Sequence, residues 1–177
     1  VAGLVGTDSE AGATEILIVA DDAADARLIA YDLISQAEHD EQASAVLVTT
    51  SPDVADRVAA EVADLAPRTR HADRVAAALA GEQSAIVLVD DAEAMARFSN
   101  AYGPEHLELH LADARAAADD YTNAGALFIG SATPVSLGDY MAGSNHVLPT
   151  GGQSRYASGL GAYTFLRPQQ VVEYDRD

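Results

Sequence analysis

"EILIVADDAADARLIAYDLISQAEHDEQASAVLVTT", residues 15–50, sets two short runs of apolar and β-branched residues on either side of a segment with helical spacing. The runs "EILIVA" (15–20) and "SAVLVTT" (44–50) have the length and composition of strands buried on both faces. Between them, "ADARLIAYDLISQAEH" (24–39) repeats its apolar residues at three- and four-residue intervals. Strand, helix and strand in that order predict a βαβ unit with a right-handed crossover and parallel strands.

The same alternation continues outward. "SAIVLVD" (84–90) and "GALFIG" (125–130) read as further buried strands, while "HLELHL" (106–111) alternates apolar and polar residues and predicts a half-exposed one. Helical spacing recurs over 51–66, 71–81, 92–103 and 112–122, and Ser51 followed by Pro52 makes a good N-cap and first-turn pair. The expected fold class is therefore α/β: a Rossmann-like open, mostly parallel sheet with flanking helices, over residues 1–143. After about residue 131 Gly, Ser, Pro and Tyr become frequent and periodicity ends. That stretch is expected to lack regular structure, with 144–177 a loop-rich C-terminal arm leading toward a further segment.

Composition narrows the function classes. The 177 residues suffice for one domain with a substantial core. Asp and Glu number 28 against 10 basic residues, all Arg, for a formal net charge of −18. Such a field repels nucleic acid and anionic membrane, so neither is an expected partner. Acidic residues spread through apolar-periodic segments, with no Lys, resemble the cytosolic proteins of salt-loving microbes, where ionic strength screens self-repulsion. The absence of Cys excludes disulfides, thiolate catalysis and any Cys-built zinc site. With no long apolar run and no basic-then-apolar leader, the expected location is cytoplasmic.

Three short motifs carry candidate chemistry. "YGPEHLEL" (102–109) sets Glu105 beside His106 at a turn-to-strand boundary, where a carboxylate and an imidazole can share proton transfer. They can equally be two solvated side chains. In "ISQAEHD" (34–40), Gln36 and His39 are three apart and share a helix face, an amide oxygen and an imidazole nitrogen suited to an N/O metal site. A His near a helix C-terminus also interacts favourably with the dipole and needs no further purpose. "LGDYMAGSNHVLPT" (137–150) offers Asp139 and His146 around a Gly-Ser turn, which are also ordinary loop residues. The segment "GTDSEAGATEILIVA" (6–20) lacks the glycine-rich dinucleotide fingerprint. His71 and His110 have no partner at a recognisable spacing and are expected at the surface or a strand end.

"AGATEILIVAD", "SQAEHD", "YGPEHLEL" and "LGDYMAGSNHVLPT", in this order, resemble the histidinol dehydrogenase family over about Gly6 to Phe165. The resemblance implies a zinc- and NAD-dependent oxidation of L-histidinol to L-histidine through the aldehyde, in the last steps of histidine synthesis, by a homodimer. It casts Gln36, His39 and Asp139 as zinc ligands that also hold substrate, Glu105 and His106 as the acid–base pair, and His146 and His106 as substrate contacts. Thr14 falls where the family usually has a Ser touching substrate; it keeps the hydroxyl and adds a methyl. The family's fourth zinc ligand and its NAD contacts fall in segments outside this sequence, which implies an inactive fragment of an active enzyme. The convergence of Gln36, His39, Glu105, His106, Asp139 and His146 is expected at the carboxyl rim of the sheet. The alternatives are a related dehydrogenase acting on another polar alcohol, such as a sulfonated diol, or a non-catalytic binding module.

Overall fold

The computed structural model describes residues 3, 4, 6 and 11–175, so residues 7–10 of the segment ahead of the first strand lie outside the description, as does the side chain of Asp139. Five parallel strands, β1 (Glu15–Ala20), β2 (Ser44–Thr49), β3 (Ala85–Leu88), β4 (His106–His110) and β5 (Ala126–Ile129), form one sheet in the order β3-β2-β1-β4-β5. Among the described residues six α-helices accompany them: α1 (Ala26–Ala37), α2 (Pro52–Leu65), α3 (Ala72–Ala80), α4 (Ala92–Tyr102), α5 (Ala114–Ala117) and α6 (Val135–Tyr140). The predicted α/β class and strand sequence hold. Among the described residues no helix is long and apolar enough to cross a membrane.

Local signals start the helices where expected. Asp25 caps α1 by accepting from the N–H groups of Arg27 and Leu28, Ser51 caps α2 through the Val54 N–H with Pro52 in the first turn, and Asp91 caps α4 through the Ala94 N–H. At the far end of α4, Gly103 adopts φ +64° in the left-handed region, which glycine enters without a Cβ clash. The chain then turns through Pro104 into β4.

Alternation along each strand builds a core on both faces. Ile16, Ile18 and Ala20 pack with Ile29 and Leu33 of α1 and Val54 and Val58 of α2. Leu17, Val19, Leu107 and Leu109 pack on the opposite face with Met95, Ala114 and Tyr121. Each fully buried Leu or Ile in these layers contributes about 1.5–3 kcal/mol.

Two expectations need correction here. β4 is buried along its whole length, because it lies between β1 and β5. Its polar residues His106, Glu108 and His110 are in register with Ile16, Ile18 and Ala20, and so face the side that α1 covers. His110 stands at the end of β4, as expected, but buried, and His71 is exposed at the start of α3. The stretch after residue 131 also contains a helix, α6, whose first residue Val135 packs against the α1 and α2 core. Beyond it, Pro149 and Thr150 are buried, and the Thr150 hydroxyl accepts from the Gly12 N–H at 2.8 Å.

Candidate active site

The candidate residues gather at one edge of the sheet, and it is the amino edge. Thr14 immediately precedes β1, while Glu105 and His106 stand at the start of β4. Helix α1 runs antiparallel to the strand it follows, so its last turn returns to the same edge and brings Gln36 with it. The carboxyl rim expected from the sequence is therefore the wrong end. Chain direction decides this, because residues opening a strand and residues closing the preceding helix meet at the amino side.

A directed chain of hydrogen bonds joins them. Gln36 Nε2 donates to Thr14 Oγ1 at 2.7 Å, and Thr14 Oγ1 donates its single proton to Glu105 Oε2 at 2.6 Å. Because the hydroxyl has spent its proton on the carboxylate, the Gln36 amide must present nitrogen to it, which turns the amide oxygen away from Thr14. Glu105 Oε2 also accepts from the Glu15 N–H at 3.0 Å. The methyl that Thr14 carries in place of a Ser hydrogen does not prevent either bond.

His106 lies next in this network. Its Nδ1 is 3.0 Å from the Glu15 carbonyl and 3.5 Å from Glu105 Oε2. A carbonyl can only accept, so Nδ1 carries the hydrogen and, in the neutral ring, Nε2 carries the lone pair. That Nε2 is buried and has no hydrogen-bond partner among the described residues. Glu105 and His106 are 8% and 5% exposed, so the Gly103-Pro104 turn delivers two adjacent side chains into one dry region. The His106 ring tilts against Phe128, with centroids 6.1 Å apart. Phe128 in turn packs so closely under Gly138 that a Cβ there would lie 2.5 Å from Phe128 Cε1.

Glu15, not singled out from the sequence, is part of the framework. Its carboxylate accepts from the Gly151 N–H at 3.0 Å and the Glu105 N–H at 3.3 Å, tying the segment after α6 to the start of β4. Burial raises its pKa, the two N–H donors pull it down, and the nearby Glu105 charge adds to the rise. It stands just ahead of "ILIVA", and nothing in the local sequence pattern marks it for this role.

Gln36, His39, Ser136 and Tyr140 help line a cavity of about 60 Å³ between α1 and α6. His39 is exposed and its Nδ1 hydrogen goes to the Ser35 carbonyl at 3.0 Å, which leaves Nε2 available. Asp139 belongs to α6, between Gly138 against Phe128 and Tyr140 at the cavity. His146 is exposed in the segment after α6. Thus Thr14, Gln36, Glu105 and His106 are joined directly, His39 and the helix bearing Asp139 border the same small cavity, and His146 stands outside it.

A second polar cluster lies deeper on the same face. Asp32 of α1 and Glu108 and His110 of β4 have potential ligand atoms within 4.8 Å of one another. Glu108 Oε1 accepts from the Val135 N–H at 3.0 Å, and its Oε2 lies 3.2 Å from His110 Nε2. Desolvation, followed by the Glu108 charge, pushes the Asp32 carboxyl up to about 7, and a hydrogen bond with Glu108 adds to the rise.

Comparison with known proteins agrees over the whole chain. A family model described as histidinol dehydrogenase matches residues 1–177. The histidinol dehydrogenase of Leifsonia xyli subsp. xyli is 67% identical over 177 residues, all of this chain and 41% of that protein. The histidinol dehydrogenase of Thermobifida fusca is 58% identical over 174 residues, 98% of this chain and 40% of the relative. The crystal structure of histidinol dehydrogenase from Elizabethkingia anophelis matches with a TM-score of 0.86 at 35% identity, covering 90% of this chain and 36% of that one. The chain spans about two fifths of the length of these curated relatives. Matched from end to end in sequence and over nine tenths of its length in fold, it belongs to the histidinol dehydrogenase family.

Proposed function

We propose that this chain carries the proton-transfer residues and part of the zinc-holding set of a histidinol dehydrogenase, which oxidises L-histidinol to L-histidine through the aldehyde. The observation that carries the reading is the buried, unpartnered Nε2 of His106 beside the Gln36–Thr14–Glu105 chain. An imidazole with one nitrogen held by a carbonyl and the other bare is oriented as a general base. Two NAD molecules, one for each oxidation, would supply the hydride acceptors when bound, and no residue of this chain is assigned to hold them.

As the first hydride leaves the carbinol carbon, the hydroxyl proton moves to His106 Nε2, giving the aldehyde. Water then adds to the carbonyl carbon: Glu105 takes one water proton, and His106 returns its proton to the carbonyl oxygen. Loss of the second hydride from this hydrate, with proton transfer to His106, leaves the carboxylic acid, which ionises. Thr14 and the Glu15 N–H keep Glu105 Oε2 fixed, so Oε1 is the oxygen that meets water.

The donor set fits zinc. The amide oxygen of Gln36 is turned away from Thr14, His39 Nε2 is free, and both residues line the small cavity between α1 and α6. With Asp139 they would hold the metal, which when bound supplies a fixed positive anchor for the substrate's amine and imidazole, His146 adding a further substrate contact. The complete protein is proposed to work as a cytoplasmic homodimer. The decisive assay is turnover by the full-length enzyme at saturating histidinol. His106→Ala should lower kcat by about 10²–10⁴-fold, and in the same assay the 177-residue chain by itself should form no detectable NADH. Unchanged kcat in the variant would overturn the assignment.

A further inference from the structure

The buried cluster below the candidate site has no part in the proton transfers above, yet it joins α1, β4 and α6, three of the elements that build the site. Glu108 lies at the middle of β4, two residues after His106, and is 1% exposed. A carboxylate so deep needs donors, and three reach it. One is His110 Nε2, from its own strand. Another is the Asp32 carboxyl, from α1, one helical turn before Gln36; its oxygen lies within 4.8 Å of a Glu108 oxygen, and it hydrogen-bonds to Glu108. The last is the backbone N–H of Val135, the first residue of α6. Helix α6 has only six residues, and its N-cap, Pro134, offers no side-chain bond. So short a helix cannot hold itself by its own ladder. Its fixed points are Glu108 at the first residue and the packing of Gly138 on Phe128 at the fourth, with Asp139 next.

We propose that Glu108 is a positioning residue of this site. By accepting from α1 and α6 at once, it fixes α6 against the end of α1, and so sets where Asp139 stands relative to Gln36 and His39. The idea rests on the zinc reading of Asp139 given above. The cluster could be read as a metal site instead, since three ligand types lie close together. Both Glu108 oxygens, however, are already taken by Val135 and His110, which favours the internal role.

Zinc affinity of the full-length protein, measured by chelator competition beside the melting temperature of the zinc-free form, tests this. Glu108→Ala should weaken zinc binding about 10- to 100-fold, as loss of a supporting partner does. Glu108→Gln, whose amide oxygen can still accept from Val135, should restore most of it. Val135→Pro removes the backbone donor, at a first-turn position proline tolerates, after a residue already at φ −70°, ψ 156°, with Val135→Ala as the control for the side chain's packing on the α1 and α2 core. It should lower zinc affinity with little change in melting temperature, and it decides the matter if Glu108→Ala fails to fold. Asp139→Ala is the reference. If Asp139→Ala loses zinc while Glu108→Ala and Val135→Pro keep it, the positioning role is overturned and the zinc reading stands. If Asp139→Ala itself keeps wild-type affinity, the zinc reading falls and takes the proposal with it. Loss of a second equivalent of zinc in Glu108→Ala would also overturn positioning, in favour of a metal held by the cluster.

Discussion

The two edges of the sheet differ in kind. At the carboxyl edge lies a cavity of about 1160 Å³, lined by Asp21, Met95, Leu111 and Tyr121 among others and by none of the candidate residues. At the amino edge the cavity is only about 60 Å³, but Thr14, Glu15, Gln36, Glu105 and His106 meet there in one partly buried hydrogen-bonded network. Open parallel sheets ordinarily bind ligands beyond the carboxyl ends of their strands. Here the polar atoms that burial makes costly are concentrated at the opposite end. Density of satisfied and unsatisfied polar groups, more than volume, is what sets the amino edge apart in this domain.

The contrast can be broken most forcefully at Thr14. Thr14→Val keeps the shape and deletes the hydroxyl that joins Gln36 to Glu105. In the full-length protein, chelator competition should show zinc affinity about 10- to 100-fold weaker, with Thr14→Ser near wild type. Ala96→Phe, which fills the carboxyl-edge cavity, should leave zinc affinity unchanged. Equal losses from the two edges would erase the distinction.

A smaller effect sharpens it through pH. The Asp32 carboxyl sits at about 7 in the folded protein against an ordinary 3.8, through desolvation and the charge of Glu108, with His110 acting in the opposite sense. The folded state therefore keeps a proton that the unfolded chain releases, and stability falls as pH rises from 3.8 towards about 7. Asp32→Asn removes that titration. Urea melts of the variant should show a flatter stability profile across this window than the wild type, and an identical slope would place the titrating group elsewhere.

Much of the fold was legible because local and tertiary signals agree. The runs at 15–20, 44–49, 85–88 and 126–129 are apolar and short, and caps at Asp25, Ser51 and Asp91 begin the helices. Legibility failed where tertiary contacts decide. Helix α6 has a Gly within six residues and no cap, and it exists because Glu108 and Phe128 hold it. The segment 112–122 has helical spacing, but only Ala114–Ala117 is α-helical, followed by a 3-10 turn over Ala118–Asp120. β4 shows the correct alternation, yet its polar face is covered, since a strand's neighbours are not written in its own residues. The same holds for the site. The motifs brought Gln36, Glu105 and His106 to attention, but the edge on which they meet, and the part played by Glu15, follow from chain direction and register.

The central claim is that the amino edge is the working end of this domain. Zinc-edge anomalous scattering from crystals of the full-length, zinc-loaded protein tests it most directly. The account predicts a peak about 2.0–2.2 Å from Gln36 Oε1 and His39 Nε2, beside α6. A peak held by Asp32, Glu108 and His110, or one in the carboxyl-edge cavity, with none at the end of α1, would contradict it.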